Sequence, residues 1–170
     1  MKIDLSSVIK VLGAQLDIDN KVSLADAQFL GDTYTFTAPL NVTGRVYNNG
    51  QSLTLDVAVS GRIITKCARC LSPIEVDVSF DVHELLSQRE NEDEVSEDII
   101  LFDGHEIELD DIVADNFLMN VYGKYLCRDD CRGLCANCGK NLNEGDCSCS
   151  DDYVAPGWEA LADILNQQKD

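Results

Sequence analysis

Apolar and polar residues alternate along the middle of the chain, a pattern typical of half-buried β-strands. The alternation begins near Thr33 and continues through residues 34–46, 53–59 and 74–82, where every second residue is apolar. Residues 48–50, Asn-Asn-Gly, form a turn signal between the first two runs. The pattern predicts that residues 33–86 form an antiparallel meander of at least three strands with one acidic face.

Helical spacing replaces this alternation toward the C-terminal side. Residues 99–102 are a short strand candidate, and residues 103–104 suit a turn. A helix is expected over roughly 109–122, ending near Gly123. Its apolar stripe consists of Leu109, Ile112, Val113, Phe117 and Val121. Residues 1–30 give a weaker pattern, with a possible helical turn near 7–12.

Two further segments are defined by charge and by apolar spacing. Residues 87–98 are rich in acidic residues, which predicts a solvated loop; a docking segment for a basic partner is the alternative. Residues 156–168 start with Pro156 and predict a C-terminal helix. Its apolar face, Trp158, Leu161, Ile164 and Leu165, is expected to pack on the core or to bind a partner.

Composition sets the cellular context that we expect. The 170 residues include eight cysteines and carry a formal net charge of -18. The chain has no long apolar run and no basic, apolar leader at its start, so a cytoplasmic location without membrane association is expected. Closely spaced cysteines in a reducing compartment bind metal more often than they form disulfides.

Six of these cysteines occur within 23 residues, spaced Cys127-x3-Cys131-x3-Cys135-x2-Cys138-x8-Cys147-x-Cys149. The surrounding residues are rich in Gly, Asn and Asp, so these thiols have no apolar core to fill. Cys135-Ala-Asn-Cys138-Gly has the form of a metal knuckle, in which glycine permits a tight turn. The spacing predicts a metal site of cysteine ligands, with zinc as the expected ion.

The remaining pair, Cys67-Ala-Arg-Cys70, is expected at the tip of a hairpin. Two thiolates cannot complete a tetrahedral zinc site, so two more ligands must come from elsewhere. We therefore expect Cys135, Cys138, Cys147 and Cys149 to form one site, and Cys67 and Cys70 to join Cys127 and Cys131 in another. A single zinc site with the other thiols free is the alternative.

A thiol-redox or iron–sulfur protein is the competing class. The Cys67–Cys70 pair leads into a strand rather than a helix, which disfavours an activated redox thiol. Cys131-x3-Cys135-x2-Cys138 matches a radical-SAM spacing, but only 32 residues follow it, too few for the barrel that this chemistry needs. His83 and His105 are expected at the surface. No catalytic pattern, phosphate loop or small-molecule site is evident, so no enzymatic activity is expected.

Basic residues are concentrated near the cysteines despite the acidic composition. They either offset thiolate charge or form a local contact surface for a partner or RNA. The candidate surface consists of Arg62, Lys66, Arg69, Lys124, Arg128 and Arg132, with Lys140 also in the cysteine run.

The cysteine motifs, taken together, resemble a known family. Cys67-Ala-Arg-Cys70-Leu, Ile107-Glu-Leu109, and the run Cys131-Arg-Gly-Leu-Cys135-Ala-Asn-Cys138-Gly-Lys-Asn-Leu-Asn143 followed by Cys147-Ser-Cys149 are similar to the bacterial YceD family, also found in chloroplasts. The resemblance implies a role in accumulation of large-subunit ribosomal RNA, that is, in ribosome assembly, by binding rather than catalysis.

These observations predict an α+β protein with an antiparallel β meander or partial barrel, a crossing helix and a C-terminal Cys-rich zinc module. The expected limits are 1–122 for the β-rich domain, 123–150 for the module and 151–170 for a helical tail. One or two zinc ions are expected. Because the chain is strongly acidic, a basic ribosomal protein or assembly factor is expected as partner in preference to rRNA.

Overall fold

The computed structural model describes residues 1–89, 99–121, 124–149 and 157–158. The chain forms two compact units, each described by itself below. The first contains Met1–Lys66 and Pro73–Tyr125, and the second contains Cys67–Ser72 and the chain from Leu126 onward. The hairpin loop with the first cysteine pair therefore belongs to the same unit as the six-cysteine run.

The first unit contains the strands and helices of the described residues. The strands are β1 Lys2–Asp4, β2 Gln15–Val22, β3 Ala27–Phe29, β4 Asp32–Phe36, β5 Leu40–Asn48, β6 Leu53–Lys66, β7 Pro73–Gln88, β8 Ile99–Phe102 and β9 Glu106–Glu108. The helices are α1 Ser6–Ile9 and α2 Leu109–Asn120. Neither helix is long and apolar enough to cross a membrane.

Strand β6 organises the main sheet. β7 pairs with its whole length, from Leu53↔Leu86 to Lys66↔Pro73. On the opposite edge, β5 pairs with its first half and β4 with its second half, and β2 extends the sheet beyond β5. The predicted antiparallel meander of at least three strands over 33–86 is confirmed by β5, β6 and β7, whereas β4 pairs with β6 rather than with its neighbour β5. The turn signal at 48–50 begins at the last residue of β5 and leads to β6.

Two parts of the architecture differ from the expectation. β8 is present where a short strand was predicted, but it pairs with β7 in parallel, so the sheet is mixed at that edge. Residues 1–30 contain β1, β2, β3 and the short helix α1. β1 pairs with β9 in a separate two-stranded sheet. The order is open among the described strands, since β2 and β8 each pair with one neighbour.

A large apolar cluster, with a smaller one around Tyr34, Ile63 and Phe117, stabilises this unit. Alternate residues of β5 and β6 point into the large cluster, with Val42, Val46 and Leu55 fully buried. α2 contributes Leu109, Ile112, Val113 and Phe117. Burial of each such side chain contributes about 1.5–3 kcal/mol relative to exposure.

Helix α2 begins as predicted at Leu109, with Asp110 and Asp111 in its first turn, where the helix dipole favours negative charge. It ends at Asn120, because Val121 is already extended. The predicted terminator Gly123 lies outside the described residues. Most of the acidic segment 87–98 and most of the tail helix 156–168 also lie outside them.

Candidate metal centre

The hairpin loop between β6 and β7 is closed by its own backbone. The Cys67 amide donates to the Ser72 carbonyl at 2.9 Å, and the Leu71 amide donates to the Cys67 carbonyl at 2.9 Å. Leu71 takes a left-handed conformation with φ 58°, which a non-glycine residue adopts at a cost of about 1–3 kcal/mol. This tight turn places both thiols of the pair on one side of the loop, as a metal knuckle requires.

Four sulfurs form the first cluster, made of Cys67, Cys70, Cys127 and Cys131. All four Sγ atoms lie within 4.8 Å of one another. The Cys67–Cys131 sulfurs are 3.8 Å apart and the Cys70–Cys127 sulfurs 3.7 Å apart. These separations are too long for disulfides, in which the sulfurs are about 2.05 Å apart. They match the edge of a tetrahedron around zinc, about 3.8 Å when each Zn–S bond is about 2.3 Å.

The second cluster consists of Cys135, Cys138, Cys147 and Cys149, whose sulfurs also lie within 4.8 Å of one another. The Cys135 and Cys147 sulfurs are 3.4 Å apart. The Gly139 amide donates to the Cys135 carbonyl at 2.9 Å, and Gly139 has φ 72°. Glycine takes that conformation without strain, which explains why it follows the second cysteine of the knuckle.

The structure thus brings together the same two sets of four thiols that the spacing predicts. Either set can hold a metal ion. Neither histidine belongs to these clusters: the His83 side chain is 66% exposed, with its Nδ1 4.0 Å from Asp56, and His105 is exposed.

At least one thiol in each cluster is made acidic by its surroundings. Burial raises the pKa of Cys67, but hydrogen bonds from the amides of Cys70, Arg69 and Cys127 outweigh it and lower the pKa to about 6. Amides of Cys138 and Asn137 lower the pKa of Cys135 to about 6 in the same way. Backbone amides that point at sulfur stabilise the thiolate, which is the form that binds metal.

Another thiol in each cluster resists ionisation. Loss of hydration and hydrogen bonding to the Cys131 and Cys70 sulfurs raise the pKa of Cys127 to about 12. Hydrogen bonding to Cys138 and loss of hydration raise the pKa of Cys149 to about 12. Four thiolates at this separation repel one another, so each cluster keeps protons unless a cation balances the charge. A divalent ion with affinity for thiolates relieves this repulsion.

Asn143, in the loop between Cys138 and Cys147, hydrogen-bonds a thiol of the first cluster, a role that the sequence analysis did not assign. Its side-chain amide donates to the Cys131 sulfur at 3.3 Å. Its Oδ1 accepts from the Arg132 amide at 2.9 Å and from the Arg128 guanidinium at 2.7 Å. Burial raises the pKa of Cys131, and the Asn143 amide is the main group that outweighs it, so the pKa is lowered. The sequence feature that could have identified Asn143 as a site residue is its position between the two cysteine pairs of the second cluster.

The knuckle loop is also tied to the segment that begins the second cluster. The Leu134 amide donates to the Arg69 carbonyl at 3.2 Å. A Cβ atom on Gly133, which has φ +76°, would lie 3.2 Å from that carbonyl oxygen. The Arg69 guanidinium donates to the Asp129 and Cys131 carbonyls at 3.3 and 3.0 Å.

Four of the six predicted contact cations already have partners. Arg62 on β6 binds Asp77 and Glu75, at 2.8 and 3.4 Å. Arg128 lies 3.3 Å from Asp130, Arg132 lies 2.6 Å from Asp146, and Arg69 binds carbonyls as above. Lys66 and Lys124 belong to the first unit with Arg62, whereas the other three belong to the second.

Comparison with known proteins finds several that are similar to this chain in sequence. It is 30% identical over 138 residues to an uncharacterized protein of Mycobacterium leprae, covering 75% of this chain and 60% of that protein. It is 36% identical over 92 residues to a chloroplastic Arabidopsis thaliana protein named large ribosomal RNA subunit accumulation protein YCED homolog 2, covering 46% of this chain and 40% of that one.

The uncharacterized protein YlbN of Bacillus subtilis is 22% identical over 155 residues, covering 89% of this chain and 88% of its own. The chain spans 60–65% of the length of the mycobacterial relatives that it matches. No solved structure matches. The family model described as large ribosomal RNA subunit accumulation protein YceD matches residues 55–165, a range that includes all eight cysteines, and the chain therefore belongs to the YceD family.

Proposed function

We propose that this protein is a non-enzymatic ribosome-assembly factor that supports accumulation of large-subunit rRNA. The observation that carries the proposal is the match of residues 55–165 to the YceD family model. The Arabidopsis relative's name refers to the same process. The protein acts in this proposal by binding, with its thiols serving structure rather than chemistry.

Each cysteine cluster holds one structural zinc ion in this account. The sulfur separations of 3.4–3.8 Å suit a single tetrahedral ion. In an iron–sulfur cluster the four cysteines are divided among two or four irons, so some of their sulfurs lie farther apart than around one ion. Four thiolates and no open position make a closed site, typical of structural rather than catalytic zinc.

The binding partner is a basic protein, such as a ribosomal protein or another assembly factor. With a net charge of -18 the chain repels nucleic acid at long range and attracts basic surfaces. The pairing of Arg62, Arg128 and Arg132 with carboxylates further reduces the positive charge available for rRNA.

Deletion of the gene tests the cellular role. We expect the ratio of large-subunit to small-subunit rRNA to fall and to recover when the wild-type gene is returned. Cys67→Ser with Cys70→Ser should fail to restore the ratio, whereas His83→Ala with His105→Ala, at exposed residues outside both clusters, should restore it. An unchanged ratio after deletion would refute the proposed function.

Binding measurements on the purified protein test the partner. Basic ribosomal proteins should bind with an affinity that falls as salt rises, and rRNA fragments should bind more weakly at each salt concentration. Tighter binding of rRNA that is lost on reversing Arg62, Arg69 and Arg128 to Glu would instead assign the contact to RNA.

A further inference from the structure

A groove of about 480 Å³ opens in the first unit between β8 on one side and β9 with the start of α2 on the other. No residue of β7 lines it. Its apolar lining consists of Ile100, Leu101, Phe102, Ile107 and Ile112.

The groove borders β8, a strand with one edge that no described strand pairs with. β8 pairs with β7 alone among the described residues. Its other edge carries backbone N–H and C=O groups that no described strand engages. A strand edge without a partner is the template on which an added peptide strand forms main-chain hydrogen bonds.

The rim of the groove is acidic. Five carboxylates line it, against the single cation Lys2: Asp103, Glu106, Glu108, Asp111 and Asp115. Lys2 lies 3.4 Å from Glu106 and 3.9 Å from Glu108, and Arg89 lies 3.1 Å from Asp103. No ion pair within the described part of the chain engages Asp111 or Asp115.

Among the five rim carboxylates, Asp111 and Asp115 have the fewest contacts that would explain their charge in this fold. Both are exposed, and they stand four residues apart on α2, where like charges destabilise a helix by about 0.2–0.5 kcal/mol. Asp111 benefits from the helix N-terminus, but Asp115 lies beyond the first turn, where that benefit has faded. A basic partner would turn this unfavourable pair into a favourable one.

We propose that this groove binds an extended, lysine- and arginine-rich segment of a protein partner, which adds a strand to β8. The proposal rests on the proposed role as a binder of a basic partner and states where and how that partner docks. The segment's apolar residues contact the lining at Ile100 and Ile112, and its cations face Asp111 and Asp115. Nucleic acid is repelled by the same rim.

A short amidated peptide of alternating lysine and valine, with a fluorophore on its N-terminus, is the probe, measured by fluorescence anisotropy with the full-length protein across a salt series. We expect binding that weakens with salt. Asp111→Lys with Asp115→Lys should weaken it roughly tenfold, because two attractive pairs become repulsive. Asp17→Lys with Asp19→Lys, the same charge change on exposed residues of edge strand β2, should change it less than about twofold.

Two further measurements distinguish binding by strand addition from binding by charge attraction alone. The same peptide N-methylated at alternate residues keeps its charge but loses donors, and it should bind roughly tenfold more weakly. Asp111→Asn with Asp115→Asn, which preserves side-chain shape, should weaken binding in the same direction if the Lys variant fails to fold. Equal losses in the groove and β2 variants, or undiminished binding of the N-methylated peptide, would overturn the proposal.

The cellular assay keeps the two proposals apart. An rRNA ratio that falls on gene deletion and is restored by the Asp111→Asn, Asp115→Asn variant would retain the assembly role and reject the groove as its docking site. A ratio that does not fall on deletion would reject the assembly role, while the peptide measurements would still decide whether the groove binds basic segments.

Discussion

Asn143 illustrates how single side chains organise the cysteine unit. One amide group reaches the Cys131 sulfur of the first cluster and holds the backbone at Arg132, from within the loop of the second cluster. Side chains that do not bind the metal themselves but donate a hydrogen bond to a metal ligand stabilise the charged form of that ligand and fix its orientation. The first cluster therefore depends on the conformation of the loop between Cys138 and Cys147.

Replacement of Asn143 by Ala should weaken zinc binding at the first cluster. Loss of the amide donor makes the Cys131 thiolate less stable, and an outer partner of this kind is worth roughly 10- to 100-fold in metal affinity. Competition with a chromophoric chelator measures the change. Asn137→Ala, at an exposed residue with no side-chain hydrogen bond to a described residue, is the control and should bind zinc as the wild type does. Equal zinc affinity in both variants would contradict this role.

Gly44 lies where the sheet allows no side chain. A Cβ atom there would be 2.2 Å from the Asp56 carbonyl oxygen, which is backbone and cannot move aside cheaply. Gly44→Ala should lower the free energy of unfolding by about 2–4 kcal/mol. Gly104→Ala, in open space with φ +67°, should cost only about 1 kcal/mol. Urea unfolding compares the two, and similar losses would show that β5 and β6 do not approach as closely as described.

At the scale of elements, Phe117 holds α2 against the sheet. Its ring centroid is 5.8 Å from that of Tyr34, 5.0 Å from Phe36 and 6.3 Å from Phe80. These are edge or tilted contacts, worth about 0.5–1.5 kcal/mol each beyond the area that they bury. The helix is thus fixed by an aromatic cluster, a stronger link than its apolar spacing alone suggests.

Phe117→Ala should lower the free energy of unfolding by about 3–5 kcal/mol, because it leaves a cavity among three rings. Met119→Ala on the same helix, where Met119 is 85% exposed, should change it by less than about 0.5 kcal/mol. Thermal and urea denaturation measure both variants. A small loss for Phe117→Ala would mean that α2 is not held by this cluster.

Sequence reasoning succeeded where one local pattern determines an element. The period-two runs of β5, β6 and β7 and the apolar stripe of α2 place buried residues such as Val42, Leu55 and Phe117 correctly. β2 was missed because Asn20 occupies an inward position between Ile18 and Val22 and interrupts the apolar signal of the strand. The parallel pairing of β8 was missed because a strand's own residues do not specify its neighbour.

The site shows the same division between local and long-range information. Cysteine spacing and ligand counting predicted the two sets of four thiols, because zinc demands four ligands and a knuckle supplies two. The contacts of Asn143 could not be predicted because they depend on loop conformation. Those of Arg69 could not be predicted because they join residues 60 and 62 positions apart.

At the scale of the whole molecule, the two units are stabilised differently. The first has an extensive apolar core. In the second, the buried apolar residues of the described chain are Cys67, Cys70 and Cys131, all proposed metal ligands. Structural zinc contributes roughly 10–16 kcal/mol of apparent binding free energy, enough to fold a segment that lacks a core.

Removal of metal by a strong chelator under reducing conditions should therefore unfold the second unit and spare the first. Hydrogen exchange should rise across 126–149 and at Cys67–Ser72, while β5 and β6 stay protected. Return of zinc should restore protection. Loss of protection in both units, or in neither, would contradict this assignment of stability.

Zinc stoichiometry of the purified chain tests the central claim most directly. Native mass spectrometry with elemental analysis should find two zinc ions per chain, one ion after Cys67→Ser with Cys70→Ser, and one after Cys135→Ser with Cys138→Ser, in colourless protein. One zinc ion in the wild type, none, or a coloured protein that contains iron and sulfide would contradict the account.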